Sequence, residues 1–344
     1  MKALITITGR GIGGDTVTAL NIAKSLEKRG VKCEYALDHK APGFLFRKMN
    51  IKWHKVTIPQ AGGHAATKMR IIRAALLSIK GVAETWHLIK KINPDVVVGV
   101  IGGGAIIGCT AAKLARVPAV GILITPLDGM ICTKLNPCIA LPESNLYFEK
   151  RKNLYKSYSP IDPEIIKGSY ERAIKRMPSG FKENKKTILF SSGSSLFEKM
   201  AIAAEKISKL LSDYNIVVTG HPLSNDILKH LNNTIYLGYV DWMKDLYKIV
   251  DLAILSDDGV MVHEAIACKI PTVALKGVKY GREHNMAKVF PDAVIESYVN
   301  EIEMKVEEAL SKLDSMKKAA SKYSKEILRA GDKIADIILN HVKK

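Results

Sequence analysis

Two segments of the chain, one in each half, have the composition of phosphate-binding loops. Residues 9–14 (GRGIGG) follow an apolar run and precede a helical pattern, and residues 190–195 (FSSGSS) repeat that arrangement. Backbone N–H groups at the start of a helix attract anions, because the helix leaves them without partners and its dipole is positive there. Each segment is therefore a candidate site for a phosphate group, although a tight turn or a serine N-cap would use the same residues.

A carboxylate follows a third junction of this kind. An apolar run at 252–255 is followed by a helical pattern that begins near Gly259 and carries Glu264 on its first turns. Ligands of doubly wound sheets bind at the carboxyl ends of the strands, where a carboxylate can accept hydrogen bonds from both hydroxyls of a ribose. The preceding Asp257 and Asp258 are interpreted as turn and cap residues, so the sequence predicts no metal site.

Alternating strand and helix patterns must position these segments. Short apolar runs predict buried parallel strands, and a 3.6-residue period predicts helices between them. Such alternation in both halves is typical of an α/β fold with two doubly wound, Rossmann-like domains that face a cleft. The predicted strands are 3–8, 32–37, 95–101, 118–124, 187–191, 215–219, 252–255 and 272–275, and a long amphipathic helical region is predicted at 299–343.

The length and composition of the chain fit two such domains. With 344 residues, of which 47% are hydrophobic and 25% charged, the chain can bury two cores. Its five cysteines form no Cys-x-x-Cys pair, which favours a reducing cytoplasm over a disulfide or zinc framework. The predicted boundaries are 1–160 for the first domain, 161–325 for the second, and 326–344 for a C-terminal helix that returns to the first.

Positive charge is concentrated in the first half. The net charge is +18; residues 1–160 hold 24 Lys and Arg against 9 Asp and Glu, whereas residues 161–344 hold 28 against 25. A basic domain attracts anionic surfaces such as phospholipid, nucleic acid or a pyrophosphate-bearing substrate. With 6% aromatic residues and no recognised nucleic-acid-binding motif, the sequence predicts no nucleic-acid partner.

Several segments, in order along nearly the whole chain, resemble those of the MurG and monogalactosyl-diacylglycerol synthase group of GT-B glycosyltransferases. This resemblance implies a GT-B fold and a UDP-sugar-dependent hexosyltransferase. The segments are the N-terminal glycine loop (11–15), the second glycine loop (94–99 with Gly102 and Gly103) and its continuation (111–118), the segment that packs on uracil (238–243), the ribose-binding Glu264, and Asn285 of the sugar-binding segment.

The resemblance implies that the second domain binds UDP-N-acetylglucosamine. GT-B enzymes generally need no metal, because helix dipoles and N–H groups stabilise the departing UDP, so no cofactor is expected. The implied contacts are Val240 and Met243 for uracil, Glu264 for ribose, Gly193, Ser194, Ser195, Val260 and Met261 for the diphosphate, and Arg282 and Asn285 for the sugar.

The resemblance also implies that the first domain binds a polyprenyl-phosphate-linked acceptor with a pyrophosphate group. The implied reaction is an inverting transfer of N-acetylglucosamine in cell-envelope biosynthesis, of the peptidoglycan or pseudomurein type. Such an in-line displacement needs a base within reach of the acceptor hydroxyl. The implied acceptor contacts are Gly11, Gly13, Gly14, Gly102, Gly103 and Gly104.

Four positions depart from the MurG pattern. Asp15 stands where MurG has a histidine, so it is the candidate catalytic base; it also fits the N-cap of the helix predicted at 15–29. Residues 123–128 replace a His-Glu-Gln-Asn segment that contacts the acceptor. Arg282 replaces a sugar-contacting glutamine, and Asp162 replaces an interdomain arginine. These departures favour a different acceptor, as in an archaeal envelope pathway.

Residues 64–91 have the pattern of a helix whose apolar stripe is edged with cations, with Glu84 as the one acid. Such a helix can lie on an anionic membrane surface, and the related family uses this region for its polyprenyl-linked acceptor. The pattern also fits a helix that packs on the core. We predict a peripheral protein at the cytoplasmic face of the membrane, without a transmembrane helix. The predicted membrane residues are Lys68, Met69, Arg70, Ile72 and Arg73.

Three other functions fit parts of the sequence. A UDP-sugar epimerase of GT-B fold would need acids and histidines near the sugar, for which His221, Glu283 and His284 are candidates. An NAD-dependent oxidoreductase would use residues 9–14 with Asp38 as the ribose-binding acid. A non-catalytic, UDP-sugar-binding subunit would account for the altered catalytic segments.

Overall fold

The chain folds into two compact units. The first comprises residues 1–160 with 329–344, and the second comprises residues 161–328. The computed structural model describes residues 1–9, 13–59, 68–142, 153–279 and 284–342.

Each unit contains a parallel β-sheet, as the sequence predicts. The strands of the first unit are β1 Lys2–Ile7, β2 Lys32–Asp38, β3 His54–Val56, β4 Val96–Val100, β5 Ala119–Leu123, β6 Cys138–Ala140 and β7 Leu154–Lys156. Those of the second are β8 Thr187–Leu196, β9 Asn215–Pro222, β10 Ile235–Tyr236, β11 Leu252–Ser256, β12 Thr272–Leu275 and β13 Val294–Ser297. The sheet orders are β3-β2-β1-β4-β5-β6-β7 and β10-β9-β8-β11-β12-β13.

Helices connect the strands in both units. In the first half they are α1 Gly14–Glu27, α2 Phe44–Lys48, α3 Lys68–Ile92, α4 Gly103–Ala115 and α5 Pro126–Cys132. In the second half they are α6 Tyr170–Ile174, α7 Glu198–Leu210, α8 Met243–Leu246, α9 Val260–Ala267, α10 Met286–Val289, α11 Ile302–Ser311, α12 Leu313–Leu328 and α13 Ala330–Val342.

Burial on both faces explains why the central strands are continuous apolar runs. Every residue of β4 is buried, and β1 is buried from Ala3 to Ile7. Helices of an α/β fold cover both faces of a parallel sheet, so its strands lack polar alternation. The prediction of two doubly wound sheets is therefore confirmed.

The order of strands reverses next to the central strand of each sheet. In the first sheet β1 lies between β2 and β4, and in the second β8 lies between β9 and β11. The loops that follow these neighbouring strands therefore diverge to opposite faces and leave a crevice at the carboxyl ends, where such sheets bind ligands. The glycine- and serine-rich segments lie at these two places.

The C-terminal region is three helices, where the sequence predicts one long helical region. Ile302 of α11 and Met316 of α12 belong to the core of the second unit, whereas Ile334 of α13 belongs to the core of the first. The chain must break between α12 and α13 to serve both cores. Arg29 fixes α13 on α1 through ion pairs of 2.8 Å with Asp332 and Asp336.

Candidate functional site

The serine-rich segment of the second unit is a bulged continuation of β8. The sequence predicts a helix directly after residue 195, but β8 pairs with β9 as far as Leu196, across a bulge between Ser191 and Ser195. Gly193 has a φ of +99°, and its N–H donates to Ser191 Oγ at 3.2 Å. The prediction of free N–H groups is therefore wrong for Gly193, because a serine of the same loop accepts this one.

A lysine that the sequence pattern does not reveal lies against this loop. Lys279 Nζ is 4.0 Å from where a Cβ on Gly193 would be, and it pairs with Asp258 Oδ1 at 3.0 Å. The ammonium group also lies 5.8 Å from the centre of the Phe197 ring. A cation beside a glycine turn can neutralise an anionic group that approaches the backbone there.

The start of α9 adjoins the same loop, because Leu255 of β11 pairs with Ser191 of β8. Gly259 is the N-cap of α9 with a φ of +100°, and no side chain of the described residues caps this end of the helix. No atom of the described residues lies within 4 Å of where a Cβ on Gly259 would be. Val260 and Met261, the first two residues of α9, therefore present N–H groups that can attract an anion.

Glu264 lies on the second turn of α9 and faces a buried tyrosine. Tyr247 Oη donates to Glu264 Oε2 at 3.3 Å, and Tyr247 is 3% exposed. Burial raises the pKa of Glu264 to about 7; the negative charge of Asp162 acts in the same direction and the Tyr247 hydrogen bond opposes both. Near neutral pH this carboxyl is therefore poised to become a charged acceptor when a ligand supplies hydroxyl donors.

This pKa gives a prediction about stability. Since burial favours the protonated form, the stability that neutral Glu264 contributes is complete below pH 4.5 and is lost as pH rises to about 7. Glu264→Gln removes that loss, so it should stabilise the protein relative to the parent by about 2–3 kcal/mol at pH 8 and by little at pH 4.5. Urea unfolding at the two pH values measures the difference, and a gain that does not depend on pH would contradict it.

The segment predicted to contact uracil follows β10. Gly238 has a φ of +64°, which glycine adopts without strain. Val240 is buried, and Met243 is a partly exposed residue at the start of α8. Tyr247, one turn further along, joins this segment to Glu264 through its hydroxyl. The structure thus links the segment predicted to contact uracil to the predicted ribose contact through Tyr247.

Asp257 caps the segment predicted to contact the sugar. Its carboxylate accepts backbone N–H bonds from His284 (2.9 Å), Asn285 (3.0 Å) and Met286 (2.9 Å), at the start of α10. Asp258 accepts from Ser256 Oγ at 2.6 Å. These bonds agree with the interpretation of Asp257 as a cap residue, whereas Asp258 joins Ser256 to Lys279. Within the described residues, no group of three or more His, Cys, Asp and Glu could hold a metal ion.

Asn285 itself is held by a second contact. Lys276 Nζ donates to its Oδ1 at 3.0 Å and pairs with Glu296 Oε2 at 2.7 Å. Ser194 and Ser195 lie on the bulge described above, both partly exposed. Arg282 lies outside the described residues, so its predicted sugar contact stays a prediction.

In the first unit, Asp15 ties the glycine loop to its helix. Gly13 is the N-cap of α1, and Asp15 is the second residue of the helix. Its Oδ2 accepts the Gly9 N–H at 3.1 Å and its Oδ1 accepts the Thr16 N–H at 2.8 Å. The interpretation of Asp15 as the N-cap is therefore wrong, because its carboxylate reaches back to the end of the strand. Gly14 is exposed beside it, and Gly11 lies outside the described residues.

The second glycine loop is held by a buried aspartate. Asp128 Oδ2 accepts the Gly102 N–H at 2.8 Å and Oδ1 accepts the Thr125 N–H at 3.0 Å. Thr125 and Asp128 form a capping box at the start of α5. Burial raises the pKa of Asp128, against which these hydrogen bonds act. The segment that replaces the acceptor-contacting residues of MurG is thus fastened to the Gly102 loop.

Gly103 and Gly104 make close contacts below this loop. A Cβ on Gly103 would lie 2.9 Å from Ile58, and one on Gly104 would lie 2.7 Å from the Thr6 carbonyl oxygen and 2.9 Å from Ile7 Cα. Gly104 is buried. These distances give Gly104 a packing role against β1, where the sequence predicts a ligand contact.

Gly104→Ala should therefore destabilise the protein by about 1–3 kcal/mol, since the new methyl group meets backbone atoms that cannot rotate away. Gly13→Ala is the matched control, because among the described residues its Cβ would meet only Asp15 Oδ1, at 3.7 Å. Urea unfolding of both variants measures the effect. Equal stabilities would contradict the packing role.

The predicted membrane helix is α3, and the side chains of Lys68, Met69, Arg70, Ile72 and Arg73 lie outside the described residues. In the next turns, Leu76 is 64% and Ile79 70% exposed. Large apolar side chains that remain exposed on consecutive turns favour an interaction surface. The structure describes no helix that is both long and apolar enough to span a membrane.

The described candidate residues for an oxidoreductase or an epimerase contact neighbouring residues of the protein. Asp38 is buried and accepts the Ile58 N–H at 2.9 Å and the Lys40 N–H at 3.1 Å, so its carboxylate holds loops rather than facing a ligand. The His221 ring stacks on Tyr239 with centroids 5.4 Å apart. Glu283 lies outside the described residues.

Sequence comparison gives matches along the whole chain. Residues 5–120 match the glycosyltransferase family 28 N-terminal domain. The chain is 24% identical over 362 residues to the UDP-N-acetylglucosamine--N-acetylmuramyl-(pentapeptide) pyrophosphoryl-undecaprenol N-acetylglucosamine transferase of Clostridium novyi, with 99% of each chain covered.

Structure comparison gives the same fold in solved proteins. MurG of Acinetobacter baumannii superimposes with a TM-score of 0.67 at 16% identity and 99% coverage of each chain. The UDP-GlcNAc 2-epimerase from Neisseria meningitidis, bound to UDP-GlcNAc, gives 0.68 at 15% identity, over 99% of this chain and 100% of that one. Since an epimerase also has this fold, the fold alone does not decide the reaction.

Proposed function

Because the chain is a MurG-like glycosyltransferase of the GT-B fold, we propose that it transfers N-acetylglucosamine from UDP-N-acetylglucosamine to a lipid-linked, pyrophosphate-bearing acceptor in cell-envelope biosynthesis. Its family rests on the match of residues 5–120 and on a relative that aligns along 99% of the chain. The resemblance that the glycine loops carry is therefore confirmed. The proposal covers both a peptidoglycan-type and a pseudomurein-type acceptor.

The observation that carries this proposal is the set of groups around α9. The uncapped helix start and Lys279 beside Gly193 suit a diphosphate, while Glu264 on the next turn suits a ribose. Ribose and diphosphate are adjacent in UDP, and the start of α9 and Glu264 are likewise adjacent along the helix. The same N–H groups and ammonium would stabilise the negative charge that develops on departing UDP, without a metal or other cofactor.

Asp15 supplies the base in the proposed reaction. Its carboxylate takes the proton of the acceptor hydroxyl while that oxygen attacks the anomeric carbon in line, and the bond to UDP breaks with inversion. The acceptor hydroxyl thereby loses its proton to Asp15, and the bonding electrons leave with UDP.

The proposed acceptor differs from that of MurG. Thr125 and Asp128 of the altered segment form a capping box, and Asp162 caps a turn by accepting the Glu164 N–H at 3.0 Å. Residues 123–128 and position 162 therefore do not carry the side chains of the MurG pattern. An acceptor with a different sugar or peptide on the same lipid pyrophosphate accounts for these changes.

The proposed location is the cytoplasmic face of the membrane. Exposed Leu76 and Ile79 on α3, with Lys80 at the next position, can enter an anionic lipid surface. The excess of basic residues in 1–160 adds electrostatic attraction to anionic lipid of roughly 1 kcal/mol per residue near the surface.

Calorimetric titration with UDP-N-acetylglucosamine and with UDP tests donor binding, and transfer of labelled N-acetylglucosamine to membrane lipid extract tests the reaction. We expect binding of both nucleotides and a labelled lipid product. Protein that binds neither nucleotide would refute the proposal. Incubation with UDP-N-acetylglucosamine alone separates the epimerase, which would release an epimer without acceptor.

A further inference from the structure

Asn285 is fixed from two sides, through its backbone and through its side chain. Its φ is +53°, in the left-handed region that asparagine adopts more readily than most non-glycine residues. Asp257 holds its backbone N–H at 3.0 Å, and Lys276 Nζ holds its side chain at 3.0 Å.

The contact with Lys276 decides which end of the Asn285 amide is free. A lysine ammonium group has three donors and no acceptor, so the amide atom that faces it must be Oδ1. The Nδ2 group of Asn285 then points away from Lys276, and it has no hydrogen-bond partner among the described residues, so it is the end available to a ligand. It can only donate, so it recognises an oxygen that accepts a hydrogen bond.

Lys276 is itself held in place. Its Nζ lies 2.7 Å from Glu296 Oε2, and its side chain is only 12% exposed. Glu296 Oε1 is buried and has no hydrogen-bond partner among the described residues, which leaves its carboxylate oriented by Lys276. The chain Glu296, Lys276 and Asn285 therefore connects the ends of β13 and β12 to the predicted sugar segment.

We propose that Lys276 is a positioning residue for the donor sugar: with Glu296 behind it, Lys276 turns Asn285 so that Nδ2 donates to an oxygen of the hexose. This rests on the proposed function, because it takes the ligand to be a UDP-sugar. Since Asn285 is predicted to contact the sugar and not the UDP, Lys276 should determine the affinity for UDP-N-acetylglucosamine relative to UDP and leave UDP binding itself unchanged.

The test is calorimetric titration of the parent protein, Lys276→Met, Lys276→Arg and Asn285→Ala with UDP and with UDP-N-acetylglucosamine. The affinity ratio of the two ligands should shift roughly tenfold against the sugar nucleotide in Lys276→Met and Asn285→Ala. Lys276→Arg keeps donors for both Asn285 and Glu296 and should retain most of the parent ratio. UDP affinity should stay within about twofold throughout.

Two further variants keep the result interpretable. Lys206→Met is the control. Lys206 and Lys276 both line a surface cavity of about 430 Å³, but Lys206 pairs with Glu303, so its substitution should change neither affinity. Lys276→Met combined with Glu296→Gln does not leave Glu296 as a carboxylate without its cation, and serves if the single variant does not fold. An unchanged ratio in that protein or in Asn285→Ala, or an equal loss of UDP affinity, would overturn the proposal while donor binding stands. Failure of the parent to bind UDP would instead remove the proposed function and this inference together.

Discussion

Glu264→Gln should weaken UDP binding by roughly 10- to 100-fold, because the glutamine keeps the size of the side chain but loses charge-assisted hydrogen bonds to the ribose hydroxyls. The effect should be equal for UDP and UDP-N-acetylglucosamine, since both carry the ribose. The pH dependence is diagnostic: with the Glu264 pKa at about 7, parental affinity should fall as pH is lowered from 8 to 6, whereas the variant should show no such fall.

Calorimetry with UDP and 2′-deoxy-UDP at these pH values provides the measurement. The parent should prefer UDP and the variant should lose most of that preference, because the 2′-hydroxyl is one of the two groups that the carboxylate holds. Glu198→Gln, on the exposed first turn of α7, is the matched control and should behave as the parent. A preference for UDP that survives Glu264→Gln would show that this carboxylate does not contact the ribose.

Long elements and their junctions could be predicted from the sequence. The start of α9 near Gly259, with Glu264 behind it, follows from an apolar strand that ends shortly before a helical pattern. The strands β3, β6, β7, β10 and β13 have two to four residues each and were not predicted, because so short a run has no period to recognise.

The surroundings of the site could not be predicted in the same way. Lys279 and Lys276 follow β12. Lys279 acts on the Gly193 loop, which is distant in the sequence, and Lys276 acts on Asn285 at the far end of the same connection between β12 and α10. Such contacts depend on how neighbouring strands bring their loops together. The N-cap interpretation of Asp15 failed for a related reason: a carboxylate near a helix start can bond to the preceding strand as well as to the helix.

Buried aspartates in the two units have the same structural role. Asp128 holds Gly102 and Thr125, while Asp257 holds three successive N–H groups from His284 to Met286. Burial raises the pKa of both, so these hydrogen bonds are needed to keep them charged. Each carboxylate fixes a loop at the carboxyl end of its sheet before any ligand arrives, which lowers the entropy lost on binding.

Asp15→Asn should lower kcat by about 10²- to 10⁴-fold while calorimetric affinity for UDP-N-acetylglucosamine stays unchanged, because an amide cannot accept the proton of the acceptor hydroxyl. The asparagine oxygen can still accept one of the two N–H bonds from Gly9 and Thr16, so the loop should keep its shape. The measurement is transfer of labelled sugar to lipid acceptor at saturating donor and acceptor, which gives kcat for the parent and for the variant.

Asp38→Asn is the control that separates a catalytic role of Asp15 from a structural one. Asp38 also accepts two backbone N–H groups at the end of a strand in the same unit, but it is buried and has no part in the proposed reaction. Its substitution should lower the free energy of unfolding and leave kcat of the folded protein within about twofold of the parent. If Asp15→Asn behaves in the same way, with reduced stability and undiminished turnover, Asp15 only fastens the glycine loop and the base must be sought elsewhere.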